Sequence, residues 1–445
     1  MRYSISKHIF MVEDNSGYLR LYNSIQGSRS LLRVAPTKKK KVTEILEERN
    51  LEKWEKDPEF KIMQRFGYVI EESFDEMAFS RIVRNDVINY PGLMLTIMPT
   101  EECNFRCEYC YENHKKGKMN KTVQDALVKF VQKNIRNYTR LDVAWFGGEP
   151  LEALNVVTDL SERLISVCKT ARKNYSAGMT TNGYNLNRET FEKLLRLKVY
   201  EYQITIDGLK DTHDKYRHLK DGEGTFNKIV QNIESIRDLR RNIYKIDIRT
   251  NFTKESIKSL PQYLQFCEKT FGSDSRFSLC AHLAGNWGGE SVRKMEGMLV
   301  PNDSYNYLLK SIVELNPNIS FRAHLRDLDA FQCMCYAGLR NSYVIGSDGI
   351  IYKCTEDFDM SENQIGYLSE NGDMIIDTSK QAKWMDFGYE RPCAQCRYWG
   401  SCLGGPCPKV KINVHDKKGN TFCPRTSHSV CEIMQLIDAS FYKEL

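Results

Sequence analysis

The sequence predicts an α/β protein, a parallel sheet either open or curled into a partial, TIM-like (β/α)6 barrel, flanked by a small N-terminal domain and a cysteine-rich C-terminal one. Three observations predict it. Between residues 91 and 320, six short apolar runs alternate with amphipathic stretches, the pattern of parallel strands joined by crossover helices. Residues 1–90 mix short strand-like runs with small helical ones. The fifteen cysteines fall unevenly, with a tight triplet at Cys103, Cys107 and Cys110 and a dense array across residues 321–445.

In the first region, Tyr18–Ile25 and Ser30–Val34 read as strands joined through Gln26-Gly27, as in a hairpin. The basic run Lys38–Lys41 precedes a helical pattern over Val42–Leu51. An apolar stretch, Phe66–Ile70, and an acidic helix, Glu71–Ile82, follow. Short strands with small helices suggest a winged-helix-like module. Its first 41 residues hold nine Lys or Arg against Glu13 and Asp14. Such an excess is either a solvated surface or a docking face for an acidic segment.

The barrel strands are read at Leu93–Ile97, Leu141–Phe146, Ser176–Thr180, Tyr202–Ile206, Ile246–Phe252 and Phe277–Leu283, with helices such as Val123–Ile135 and Leu151–Ala171 between them. In this architecture chemistry gathers at the C-terminal ends of the strands. The motifs lie there. The run Cys103-Asn-Phe-Arg-Cys107-Glu-Tyr109-Cys110 follows the first strand, and Gly147-Gly148-Glu149-Pro150 the second. Thr181-Asn182-Gly183 ends the third, and Asp207-Gly208 the fourth. Turn residues collect at strand ends anyway, so the information is in the set and its order.

Three close thiolates can hold three irons of a [4Fe–4S] cluster and leave the fourth open to a small molecule. A structural zinc site wants four ligands, and the triplet is one short. Farther on come Cys335, Cys354, then Cys393-x2-Cys396-x5-Cys402-x4-Cys407, and Cys423. Few long periodic segments accompany them, so metal would have to hold the region together. A zinc-ribbon-like fold is the alternative, because C-x2-C suits zinc equally well. Cys168, Cys267 and Cys280 sit in helical or strand patterns and read as small buried hydrophobes.

Apolar content of 41% and charged content of 27% are ordinary for a soluble globular protein. No apolar run approaches the ~20 residues that span a bilayer, and the N-terminal run lacks an apolar signal core. A cytoplasmic protein without a membrane partner is expected. Its cysteines then call for ligation rather than disulfides. The net charge of +6 is modest and no nucleic-acid motif accompanies it, so nucleic acid is not expected as a partner.

The triplet with Tyr109, Gly147–Pro150, Thr181–Gly183 and Asp207-Gly208 together resemble the radical S-adenosylmethionine (radical SAM) enzymes over about residues 91–320. The resemblance implies a [4Fe–4S] cluster on Cys103, Cys107 and Cys110 whose open iron chelates S-adenosylmethionine. It implies a 5′-deoxyadenosyl radical that removes a substrate hydrogen. Glu149 should then touch the methionyl amino group and Tyr109 should lie near the adenine. Gly147, Gly148, Pro150, Thr181, Asn182, Asp207 and Arg249 complete the expected cofactor site.

The later cysteines resemble the SPASM extension of such enzymes, which binds two auxiliary [4Fe–4S] clusters. The resemblance assigns Cys335, Cys354 and Cys407 to the nearer cluster and Cys393, Cys396, Cys402 and Cys423 to the outer one. The Cys402–Cys407 interval is one residue longer than usual, and Leu403-Gly-Gly-Pro406 offers a loop to absorb it. Cys333 is an alternative fourth ligand of the nearer cluster and Cys431 an alternative last ligand. An iron left open there would accept a substrate thiolate.

SPASM-bearing enzymes mostly modify ribosomally made peptides, and residues 1–90 resemble their leader-recognition domains. Such a domain would take the leader as an added strand on an exposed sheet edge. The expected reaction joins a cysteine sulfur to a carbon as a thioether, with flavodoxin or ferredoxin as electron donor. Formylglycine-generating sulfatase maturases carry an Asp after the cysteine at the Cys354 position. Thr355 stands here, and a hydroxyl is not an equivalent base. Carbon–carbon or carbon–oxygen crosslinking remains open, and a non-catalytic iron–sulfur electron carrier is the reading from another class.

Overall fold

Apolar runs punctuated by polar turns become sixteen strands among the described residues of the computed structural model. It describes residues 2–112, 114, 116–272, 274–284, 296–300, 308, 310–312, 314, 328–329, 334–386, 393, 395–405, 407–415 and 427–445. In chain order the strands are β1 (Tyr3–Ile5), β2 (Ile9–Glu13), β3 (Leu19–Asn23), β4 (Leu32–Val34) and β5 (Val69–Glu71). Then come β6 (Leu93–Ile97), β7 (Arg140–Trp145), β8 (Asn174–Thr181), β9 (Val199–Thr205), β10 (Lys245–Phe252) and β11 (Phe277–Leu283). The last are β12 (Ser342–Ile345), β13 (Ile350–Tyr352), β14 (Gln364–Leu368), β15 (Met374–Ile376) and β16 (Lys443–Glu444).

The chain forms two compact units. One combines residues 91–322 with 341–383, and its sheet runs β11-β10-β9-β8-β7-β6-β12-β13-β14-β15. All six barrel strands read from the sequence form, parallel and in sequential order. β12 adds beside β6 in the same direction, and β13 to β15 continue as antiparallel strands. Residues 341–383 thus extend the barrel's own sheet.

Strand alternation sorts the side chains. On β10, Ile246, Ile248 and Thr250 are buried, and the Thr250 hydroxyl meets the Tyr263 hydroxyl of helix Leu260–Cys267 at 2.6 Å. The alternate residues Asp247, Arg249 and Asn251 face the other way, as the pleat requires. Register puts Arg249 beside Thr205 of β9 and Cys280 of β11. That second face is therefore polar.

The other unit combines residues 1–90, 323–340 and 384–445. Its four-stranded sheet has the order β16-β4-β3-β2, and β1 pairs with β5. The expected hairpin forms, β3 pairing antiparallel with β4. Helix Pro36–Glu47 starts six residues before the predicted Val42, because Pro36 sits at its first turn with φ already set. The basic run therefore lies on a helix. Lys38 pairs with Glu59, Lys39 with Glu13, and Lys41 with Asp57 and Glu59. Folding thus gives three of the four lysines an acidic partner, which takes away much of the basic face read as a docking surface. Helix Pro58–Arg65, capped by the Asp57 carboxylate, and strand β2 were not expected from the pattern.

The edges of the four-stranded sheet are covered from within the chain. β16 pairs parallel with β4; Lys443 N–H donates to Leu31 at 3.0 Å and Leu445 N–H to Arg33 at 2.9 Å. Leu445 is buried in the core with Leu32 and Val34. On the opposite edge, carbonyls of β2 accept from side chains: Ile9 from Arg397, Met11 from Cys431 and Glu13 from Gln435. Unpaired edges attract foreign strands, and covering them from within the chain prevents this. Among the described residues no helix is long and apolar enough to cross a membrane.

Candidate functional site

The loop after β6 carries the triplet, and the loop after β7 is pressed against it. Glu149 N–H donates to the Glu102 carbonyl at 2.9 Å, one residue before Cys103. Gly148 has φ +48°, and a Cβ there would stand 2.1 Å from the Glu102 oxygen. A Cβ on Gly147, with φ +87°, would stand 2.6 Å from the Met98 side chain. Gly148 is needed because backbone meets backbone here, and Gly147 because of its positive φ. Gly148 N–H also donates to Glu112 Oε2 at 2.7 Å, which ties in the far end of the triplet.

Cys103 is buried, and Phe105 N–H donates to its sulfur at 3.4 Å. His114 Nδ1 lies 3.1 Å from the Glu101 carbonyl, so Nδ1 carries the proton. Its Nε2, 3.6 Å from Cys110 Sγ, is left to accept. Burial pushes the Cys103 thiol up to about 12, with the Glu149 carboxylate adding to it. Burial raises Cys107 too, opposed by the Arg217 guanidinium, and raises Cys110 with help from Cys107 and Glu112. Metal must therefore displace protons from these thiols.

Among the described residues no three His, Cys, Asp or Glu side chains converge on a single metal ion. A [4Fe–4S] cube does not ask for that, since each cysteine binds a different corner iron. One buried and two half-buried cysteines on one eight-residue loop, within electrostatic reach of one another, are a donor set that fits a cluster and not a lone ion.

Glu149 links the ends of β7 and β8. Its Oε1 accepts from Leu151 N–H at 3.0 Å and Thr181 Oγ1 at 2.7 Å, and Oε2 from Asn182 N–H at 2.7 Å. Burial still pushes it up to about 7. Pro150 follows at the first turn of a short 3-10 helix. Asn182 Nδ2 reaches Asn104 Oδ1 at 2.8 Å and lies 4.0 Å from Cys103 Sγ.

A second node joins β9 and β10 to the triplet loop. The Tyr109 hydroxyl donates to Asp207 Oδ2 and accepts from Arg217 Nη1 at 2.7 Å. Asp207 Oδ1 accepts from Asn251 N–H at 2.7 Å, and Arg249 Nε reaches Asn251 Oδ1 at 3.0 Å. The buried His213 ring accepts from Asp207 N–H at 3.2 Å. The sequence-read residues Tyr109, Glu149, Thr181, Asn182, Asp207 and Arg249 thus fall on two linked nodes around the triplet. Glu112, His114, Arg217 and Asn251 were missed. Glu112 and His114 lie two and four residues after Cys110, and that closeness was the available signal. Arg217 stands outside every motif.

Cys280 is more than a small buried hydrophobe. Its sulfur lies 3.3 Å from His282 Nε2, both on the polar face of β11 beside Arg249 and Asn251. Cys168 and Cys267 are buried as expected.

Cys354, in the barrel unit, is buried. Its N–H donates to Asn363 Oδ1 at 2.8 Å, and Glu356 N–H donates to its sulfur at 3.4 Å. A cavity of about 120 Å³ next to the triplet loop is lined by Glu101, Glu112, Lys116, Tyr352, Glu356 and Asp357, among others. Cys335, Cys393, Cys396, Cys402 and Cys407 belong to the other unit. There Tyr398 N–H donates to Cys396 Sγ at 3.4 Å. Leu403, Gly404 and Gly405 all have positive φ, and buried Arg84 holds the Leu403 carbonyl at 3.1 Å. Cys431 packs against the same apolar cluster as Cys396 and Cys402. Cys333 and Cys423 lie outside the described residues.

The model of the radical SAM superfamily matches residues 97–267, from the end of β6 through helix Leu260–Cys267. Residues 97–267 are a radical SAM domain. The cofactors of this domain are a [4Fe–4S] cluster and S-adenosylmethionine, and the protein is an enzyme. Among curated relatives, the chain is 25% identical over 367 residues to the cysteine-type anaerobic sulfatase-maturating enzyme of Clostridium novyi (strain NT), covering 75% of this chain and 92% of that one. Two solved structures share the fold. anSMEcpe with bound AdoMet and the Cp18Cys peptide has a TM-score of 0.59 at 20% identity, over 77% of this chain and 96% of that chain. SuiB of Streptococcus suis bound to the precursor peptide SuiA has a TM-score of 0.52 at 15% identity, over 96% of this chain and 99% of that chain.

Proposed function

We propose that this radical SAM enzyme matures a ribosomally made precursor peptide in the cytoplasm, joining a cysteine sulfur to a carbon as a thioether. The observation that carries the peptide substrate is the likeness to a sulfatase-maturating enzyme along 92% of that relative's length, well beyond the radical SAM domain. With its cluster and S-adenosylmethionine bound, the site supplies a 5′-deoxyadenosyl radical for hydrogen abstraction.

The chain's own residues do the rest. Cys103, Cys107 and Cys110 hold the cluster, and the glycine loop with Glu112 fixes their spacing. Glu149 and Glu112 set carboxylates beside the triplet, which suits a cofactor carrying both a sulfonium and an ammonium. Glu149, Thr181 and Asn182 orient the methionyl end. Tyr109, Asp207 and Arg217 lock the loop, so that reacting groups keep their geometry and water is excluded. Cys335, Cys354, Cys407 and Cys393, Cys396, Cys402, Cys423 are the candidate ligands of two auxiliary clusters, with a flavodoxin or ferredoxin as donor.

A second reading, formylglycine formation on a sulfatase, is favoured by the same relative and by Glu356 and Asp357, carboxylates lining the cavity near Cys354. Thr355 weighs against it. Co-expression with a cysteine-bearing precursor, followed by mass spectrometry, decides. A thioether removes two hydrogens and leaves the sulfur unreactive to alkylation. Formylglycine loses the sulfur and reacts with hydrazides. A precursor recovered with unchanged mass and all thiols alkylatable overturns both.

A further inference from the structure

Helix Pro408–His415 begins one residue after Cys407 and carries Lys411. This lysine is only 4% exposed. Its ammonium donates to Cys393 Sγ at 3.7 Å, and among the described residues that sulfur is its one hydrogen-bond partner. A buried ammonium is costly unless an opposite charge faces it. A neutral thiol supplies none. The pairing makes sense if the Cys393 sulfur carries negative charge in the working protein, as a cluster-bound thiolate does. Buried Arg84 close by differs: its guanidinium goes to the Leu403 and Met385 carbonyls, which are ordinary partners for a cation.

We propose that Lys411 is a positioning and tuning residue for the outer auxiliary cluster, its ammonium held against the Cys393 ligand to raise that cluster's reduction potential. Reduction adds one negative charge to the cube. A fixed cation beside a ligating sulfur stabilises the reduced state more than the oxidised one, and hydrogen bonds to cluster sulfurs act in the same direction. An outer cluster made easier to reduce is a better acceptor for the electron that thioether formation releases. The inference rests on the reading that Cys393, Cys396 and Cys402 ligate a cluster.

The test is an anaerobic redox titration, followed by electron paramagnetic resonance, of the reconstituted full chain and its Lys411→Met, Lys411→Gln and Lys411→Arg variants. Wild-type midpoint potential above that of both Met and Gln variants, with Arg restoring most of the difference, is the expected result. Gln keeps a donor but not the charge, so it separates charge from hydrogen bonding and covers the case in which Met fails to fold. Equal potentials in wild type and the Gln variant, at equal iron content, overturn the role of Lys411 and leave the cluster reading standing. A wild-type chain whose iron and spectra account only for the Cys103 cluster overturns both. Reductive formation of 5′-deoxyadenosine is the independent control, since it reports on the first site alone.

Discussion

Two groups of cysteines, alike in sequence density, differ in that carboxylates stand only around the first among their described neighbours. Around Cys103, Cys107 and Cys110 stand the carboxylates of Glu149 and Glu112, which add to burial in raising the Cys103 and Cys110 thiols, while the Arg217 guanidinium opposes the rise at Cys103 and Cys107. Around Cys393, Cys396 and Cys402 stand the buried cations Lys411 and Arg84 and a backbone N–H aimed at sulfur. A site that must accept a cationic ligand on its cluster gains from nearby negative charge. A site that only stores an electron gains from positive charge. The difference teaches that cysteine spacing names the metal centre, while neighbours drawn from other elements give it a role.

The largest effect should separate the two groups. Cys103→Ala is expected to lower 5′-deoxyadenosine formation by more than about a thousandfold, because the triplet has no spare ligand. Cys396→Ala should leave that cleavage measurable while abolishing the peptide product. Chromatography of a single reaction reads both. Equal loss in the two variants would erase the distinction.

Next in size is the carboxylate side of the first site. Glu149→Ala strands Leu151 N–H, Asn182 N–H and the Thr181 hydroxyl in a buried place. It should cost about 3–5 kcal/mol in chemical denaturation of the cluster-free chain.

A pH effect should come from His213, the acceptor for Asp207 N–H. Burial depresses its pKa from 6.5 to about 3. Unfolded chains then bind a proton that the native ring refuses, so this stability is present above pH 6.5 and is lost as pH falls toward 3. Relative to His213→Asn, whose amide oxygen can still accept, wild type should lose roughly 2 kcal/mol between pH 6.5 and pH 5. Parallel stability curves for the two proteins would remove His213 from the account.

The smallest effect concerns the second group. The Cys431 sulfur points at the Met11 carbonyl and closes the β2 edge. Cys431→Ser should leave iron content unchanged and shift stability by less than about 1 kcal/mol. Loss of one cluster's iron would make Cys431 a ligand.

Much of this was legible in one dimension. Strand periodicity located β6 and β11 to the residue, because each alternates apolar side chains toward helices and is bounded by turn residues. Motif order placed Cys103, Glu149, Asn182 and Asp207 at neighbouring strand ends, since sequential parallel strands put successive loops side by side. β2, with Glu13 at its end, and the short helix Pro58–Arg65 gave weak signals because short elements have little periodicity to show. Arg217 was invisible for another reason. Its partners, Tyr109 and Asp207, lie 108 and 10 residues away and meet it only when two loops fold over one sheet.

By itself the sequence determined the parallel sheet, the cysteine triplet and the chemistry that three closely spaced thiolates permit. Those depend on local pattern and on ligand count, which spacing encodes. Only the tertiary structure decided that β16 occupies the edge of β4, that three lysines of the basic run are paired, and that Lys411 meets Cys393. These are contacts between distant segments, and no periodicity records which buried charge or open edge will find which partner.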